Sequence, residues 1–171
     1  MFDGRVLLQS EGHVEGGIFR ARYFETAYSN MLAWLQMGVP GRMPRNGFAM
    51  AALRASDGAF LLGKMGENTA NAGKVYFAAG TPDLGDVTAD GKVDLAGSVT
   101  RELMEETGLR LDEVRVGTGW TAVFAEKRIA FMREVAIDMP ADAARRLILA
   151  RMQTLHEEEL SDIVIIRSMA D

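Results

Sequence analysis

The chain has 171 residues, 48% of them hydrophobic and 25% charged, with a formal net charge of −5 and no cysteine. That length suits one domain around a single core, and the acidic balance argues against broad electrostatic binding to nucleic acid or to an anionic membrane. Lack of cysteine excludes disulfides, thiolate nucleophiles and Cys-built zinc sites. No basic leader and no run of ~18 apolar residues is evident, so a cytoplasmic protein without a membrane span is expected.

In chain order, Arg5–Gln9 and Gly17–Arg22 read as short strands. A helix is expected from about Tyr23 to Met37, because Phe24, Ala27, Met31, Trp34 and Leu35 form an apolar stripe, with Gly38 and Pro40 stopping it. Trp34 and the methionines of this helix suit core or dimer packing, which leaves a homodimer open. The runs GFAMAALRA and AFLLGKM flank Ser56-Asp57-Gly58 and read as a hairpin. A polar loop, Gly66–Gly73, leads to a strand at Lys74–Ala79, and an irregular stretch, 81–93, leads to a helix from about Asp94 to Thr107. Strands are expected at Val114–Phe124 and Arg128–Ile137, a helix from Pro140 to about Leu155, and a last strand at Ile163–Arg167. Strands and helices do not alternate regularly and several strands are hairpin-linked, which favours an α/β (α+β) fold with a mixed sheet. The expected organisation is one domain over 1–171, with N-terminal strands and helix in 1–45 and the main core in 46–171.

The helix after the irregular stretch carries the chemistry. At roughly 100° per residue, Ala96, Val99 and Leu103 fall on one stripe, and Glu102, Glu105 and Glu106 share an arc beside it, with Arg101 just past Glu105. Asp94 suits the N-cap, and Gly108 sits where a helix often ends in positive φ. A solvated acidic face is the bland explanation. Two local rules oppose it: like charges at i,i+3 and i,i+4 repel by a few tenths of a kcal/mol, and the helix dipole disfavours anions in the last turns. Such a cluster invites a cation, and hard oxygen donors suit Mg²⁺ or Mn²⁺.

Arg101-Glu102-Leu103-Met104-Glu105-Glu106-Thr107-Gly108-Leu109 meets every defined position of R-E-U-x-E-E-x-G-U, with U aliphatic. It resembles the second half of the box of the Nudix (MutT-like) hydrolases, G-x5-E-x7-R-E-U-x-E-E-x-G-U. The first half is G-x5-D from Gly80 to Asp86, and 14 residues instead of seven separate Asp86 from Arg101. The chain therefore resembles a box, about 80–109, with a lengthened loop and Asp in place of the first Glu. The resemblance implies an α/β/α sandwich with a mixed sheet. It implies Mg²⁺-dependent (or Mn²⁺-dependent) hydrolysis of the pyrophosphate bond of a nucleoside diphosphate linked to another moiety, by water attack on phosphorus. It further implies that Glu102, Glu105 and Glu106 bind metal together with the carbonyl of Ala79, while Arg101 orients a glutamate; Arg101, Glu102 and Glu105 are the catalytic candidates. Gly80 and Asp86 would lie on the substrate side.

A further acid would serve as base or extra ligand; Glu126 and the run Glu157, Glu158, Glu159 offer themselves, although such a run is also an ordinary solvated end. Trp120 is open to two uses, stacking on a base or packing in the core. His13 and His156 have no partner at metal-ligand spacing. The alternative to catalysis is a silent Nudix-like domain that senses a nucleotide or holds a partner. The nucleoside diphosphate derivative is not legible.

Overall fold

The computed structural model describes residues 4–37, 44–155 and 159–168. Two strands come first, β1 (Arg5–Glu15) and β2 (Ile18–Ala27), then helix α1 (Tyr28–Met37). Next come β3 (Asn46–Arg54), β4 (Phe60–Met65), β5 (Val75–Tyr76) and β6 (Ala78–Gly80), followed by α2 (Leu95–Thr107). The order closes with β7 (Val114–Val116), β8 (Thr121–Phe124), β9 (Arg128–Ile137), α3 (Ala141–Met152) and β10 (Leu160–Ile166). Among the described residues β1 and β2 form a two-stranded ribbon, and the other eight strands form a mixed sheet of order β10-β4-β3-β9-β7, with β5 on β4, β6 on β3 and β8 on β9. A mixed sheet with three helices is the fold class that the sequence predicts.

The chain divides into two compact units. The first comprises Met1–Ala49, Thr81–Ser98 and Ala122–Phe131. In it, β1 and β2 join through Gly16 and Gly17, both at positive φ (56° and 77°), a turn that glycine adopts without steric cost. Val6, Leu8 and Met31 form a small core against which Tyr28, Trp34 and Leu35 pack. The expected helix over Tyr23–Met37 starts instead at Tyr28. Tyr23 and Phe24 face Gln9 and Leu8 across the ribbon, and the pairing continues to Ala27 opposite Arg5. Aromatic and β-branched residues at 23–26 favour that strand, and cross-strand packing overrides the helical spacing. Gly38 and Pro40 lie outside the described residues.

Stretch 81–93 is built, not loose. Asp83 accepts from the backbone N–H of Gly85 (2.6 Å), and Asp86 accepts from that of Asp83 (3.0 Å), a reciprocal cap on the single 3-10 turn Leu84–Asp86. Thr88 and Lys92 close the next turn over Gly91 at φ 77°, and Val87 bridges Val93. The lengthened loop thus holds itself together through its own side chains.

The second unit comprises Met50–Gly80, Val99–Thr121 and Met132–Asp171. The β3–β4 hairpin turns at Asp57-Gly58 as expected, and Asp57 also accepts from the N–H of Ala141 (3.2 Å), capping α3 where Pro140 supplies no donor. Leu53, Leu61, Leu160 and Ile163 on the sheet, Leu103 on α2 and Ile148 on α3 enclose a cavity of about 10 Å³. That holds one water at most, so it is a seam in the core and not a ligand site. The expected strand Val114–Phe124 is broken at Gly117–Trp120 into β7 and β8, and Lys74–Ala79 is split at Phe77. Among the described residues no helix is long and apolar enough to cross a membrane.

Candidate active site

Helix α2 begins where its sequence says. The Asp94 carboxylate accepts from the N–H of Gly97 (2.9 Å), satisfying one of the donors that every helix start leaves open. Val99 and Leu103 are fully buried, and Ala96 is only half-buried. At the other end Gly108 takes φ 68° and donates to Met104 O (2.9 Å). Arg151 of α3 donates to the Gly108 carbonyl (3.0 Å) and grips Glu113 with both terminal nitrogens (2.6 and 2.8 Å). A cation therefore meets the negative pole of the helix from outside it.

With that end fixed, the glutamates divide their environments. Glu106 is 5% exposed and Glu102 is 9% exposed, whereas Glu105 is exposed. Glu106 uses one oxygen to accept from the N–H of Ala79 on β6 (3.0 Å). Its other oxygen is buried and has no hydrogen-bond partner among the described residues. Burial, reinforced by the charges of Glu102, Glu159 and Glu105, pushes the Glu106 carboxyl up to about 8, although the Ala79 N–H pulls the other way. Arg101 places one terminal nitrogen 2.9 Å from Glu102 and 3.0 Å from Glu105. One guanidinium thus holds two carboxylates of the arc.

Gly80 is required by the same contacts. A Cβ there would lie 1.9 Å from Glu102 Oε1, so the β6 backbone approaches the carboxylate as only glycine permits. Ala79, Gly80, Arg101, Glu102 and Glu106 are thereby brought together on β6 and α2, with Glu105 tied in through Arg101. Among the described residues no three acidic or histidine side chains converge as a ready-made metal cage. Carboxylates without a cation repel, and here Arg101 and the Ala79 N–H hold them instead. The donor set still suits Mg²⁺ or Mn²⁺. Such ions are held by one or two carboxylates with water and substrate phosphate completing the shell, and the Glu106 oxygen that no described residue satisfies is a hard donor of that kind.

The remaining candidates separate. Glu159 lies close enough to raise the Glu106 carboxyl; Glu157 and Glu158 lie outside the described residues. Asp86 is buried and serves the cap of its own turn. Glu126 is exposed in the turn between β8 and β9. Trp120 is not a core residue: it is 42% exposed, and the guanidinium of Arg133 lies over its ring at 4.5 Å. Sequence reading passed over Arg133, yet a signal was present, since it interrupts the apolar alternation Ile129, Phe131, Val135, Ile137 of a strand.

No family model and no curated protein matches the chain. Solved structures do, and many are Nudix hydrolases, the class that the RELMEETG motif resembles. The chain is similar to a Nudix hydrolase from M. smegmatis, RenU (17% identity, 71% of this chain and 70% of that one, TM-score 0.46). It is similar to a C. elegans Ap4A hydrolase (12% identity, 70% and 79%, TM-score 0.48). It is also similar to the MutT protein of Methanosarcina mazei Go1 (19% identity, 73% and 78%, TM-score 0.42).

Proposed function

We propose that the chain is a Mg²⁺- or Mn²⁺-dependent hydrolase of the pyrophosphate bond in a nucleoside diphosphate linked to another moiety. One observation carries the reading. Glu106 is buried at the acidic arc of α2 with an oxygen that no described residue satisfies, one turn from Glu102, which Arg101 clamps. A buried, unpartnered carboxylate is costly in a merely structural role. It becomes useful when a divalent ion and a polyanion arrive together.

Glu106, Glu102 and Glu105 would hold the ion. When bound, it would neutralise charge on the phosphoryl oxygens and lower the pKa of a coordinated water. The chain's own residues then have distinct tasks. Arg101 keeps Glu102 and Glu105 at fixed positions. The Ala79 N–H fixes the Glu106 carboxylate from the sheet side, and Gly80 leaves room for Glu102. Placement on a helix packed through Val99 and Leu103 makes the set rigid. Glu159, whose charge is felt at Glu106, is the described member of the acidic run that would serve as base or extra ligand.

The test is a Mg²⁺- and Mn²⁺-dependent hydrolysis screen over dinucleoside polyphosphates, nucleotide sugars, ADP-ribose and nucleoside triphosphates, run beside Glu105→Gln and Glu106→Gln. Metal-dependent turnover of at least one compound, reduced at least 100-fold by either substitution, is expected. Binding without turnover on every compound, unchanged by both substitutions, would replace the hydrolase with a silent nucleotide-sensing domain.

A further inference from the structure

Strand β9 carries a second departure from ordinary patterning, well apart in sequence from the glutamate helix. Its odd-numbered positions Ile129, Phe131, Val135 and Ile137 are 0%, 5%, 0% and 1% exposed, so they define a core-facing side. Arg133 belongs to that same alternation. A strand in the middle of a sheet places an aliphatic residue there unless the charge has a use, because removing a cation from water is costly without a partner.

Among the described residues Arg133 has no partner of that kind. Its Nε is buried with no hydrogen bond, and no carboxylate or carbonyl is paired with the guanidinium. None of the described acidic residues is paired with this cation. Instead the guanidinium lies over the Trp120 ring, its central carbon 4.5 Å from the ring centre. The local backbone explains how the two meet. Val116 pairs with Val135, and the N–H of Gly117 donates to Glu134 O (2.8 Å). There β7 ends, and residues 117–120 peel away to bring Trp120 beside Arg133. Gly117 allows the close approach, since a Cβ would lie 3.1 Å from Glu134 O. The indole gives the guanidinium a cation–π neighbour. What remains is the donor edge, whose planar fork matches two oxygens of one anionic group.

We infer that Arg133, with Trp120 against its guanidinium, is an anion-binding residue that takes a phosphoryl group of the substrate. This rests on the phosphoanhydride reading above for the choice of phosphate over carboxylate. The anion site itself stands on Arg133 of β9 and its contact with Trp120. Arg133 is a binding residue for the substrate, distinct from the glutamates that would hold the metal.

The test uses the intact protein in EDTA, titrated with inorganic pyrophosphate, ADP and adenosine, and followed by calorimetry. Tryptophan fluorescence of Trp34→Phe, in which Trp120 is the only indole left of the two, gives a second readout. Pyrophosphate and ADP are expected to bind and to change Trp120 emission, whereas adenosine does neither. Arg133→Gln should weaken both anions at least 10-fold. Arg133→Lys, which keeps the charge and loses the fork, should fall between, and it replaces Arg133→Gln if the latter fails to fold by circular dichroism. Unchanged affinity for pyrophosphate in these variants, or adenosine binding as well as ADP, would overturn the inference. Steady-state hydrolysis separates the two readings. Should the wild-type chain turn over a substrate while Arg133→Gln leaves KM unchanged, the anion site fails and the hydrolase stands. Should no compound turn over while pyrophosphate binding still needs Arg133, the anion site stands alone.

Discussion

Replacing Glu106 by Gln should stabilise the metal-free protein relative to wild type as pH rises. The Glu106 carboxyl goes from 4.5 to about 8, first because it is desolvated and then because Glu102, Glu159 and Glu105 repel its charge. The raised value sets the sign. Below about pH 4.5 both folded and unfolded chains hold the proton, and its full contribution is present. Between 4.5 and 8 the unfolded chain has released the proton and the folded chain has not, so stability falls by about 1.4 kcal/mol per pH unit. Above 8 the loss levels off, at a total on the order of 5 kcal/mol. Gln cannot titrate. It retains an oxygen for the Ala79 N–H, and its amide in place of the orphan oxygen costs about 1–3 kcal/mol at every pH. The observable is therefore the slope and not the offset. Urea unfolding in EDTA from pH 5 to 9 should show wild type losing several kcal/mol more than Glu106→Gln. Saturating Mn²⁺ should flatten the wild-type curve and leave the variant unmoved. Parallel curves in EDTA would mean that Glu106 is ionised at no unusual cost, and the argument from its burial would fail.

Other predictions follow from single contacts. Gly80→Ala places a Cβ 1.9 Å from Glu102 Oε1; Mn²⁺ affinity by calorimetry should fall at least 10-fold with the melting temperature changed by only a few degrees, and unaltered affinity would refute the close approach. Gly108→Ala forces a Cβ into φ 68° and to 2.9 Å from Arg151 Cβ; chemical denaturation should show a loss of about 1–3 kcal/mol. Arg101→Met frees Glu102 and Glu105 together, and kcat for any substrate found should fall about 10- to 100-fold while the circular dichroism spectrum is kept. Arg151 holds the Glu113 carboxyl down at about 2, a depressed value, so its stabilisation is present above the unfolded value of 4.5 and lost as pH falls towards 2. Arg151→Met should therefore flatten the acid limb of a stability–pH curve between pH 4.5 and 2.

How much could be read beforehand depended on whether a residue's partner was near in sequence. The hairpin at Asp57-Gly58, strand Arg128–Ile137, the Asp94 cap and the Gly108 stop all obey local chemistry, and each occurs where the spacing puts it. Tyr23–Ala27 is strand and not helix because its fate is decided by β1, whose partners lie 14 to 22 residues away (Gln9 to Tyr23, Arg5 to Ala27), and not by its own period. The lengthened loop reads as irregular because Asp83 and Asp86 cap each other through backbone groups that composition does not reveal. The glutamate arc was legible from angular spacing. Its division into two buried carboxylates and one exposed was not, because that depends on how closely β6 approaches through Gly80.

The same reasoning links the two sites that patterning alone would have forbidden. A buried glutamate at the end of a helix and an arginine on the core side of a strand each cost stability, and neither Glu106 nor Arg133 has an ion-pair partner among the described residues. Glu106 has an N–H on one oxygen and nothing on the other. Arg133 has an indole on one face and nothing at Nε. Had these been structural ion pairs, Arg151 and Glu113 show how the chain builds one: two short bonds and a depressed carboxyl. The contrast between one place where charges are fully satisfied and two where described residues leave them open is what the proposed ligand, a cation with oxyanions, would account for.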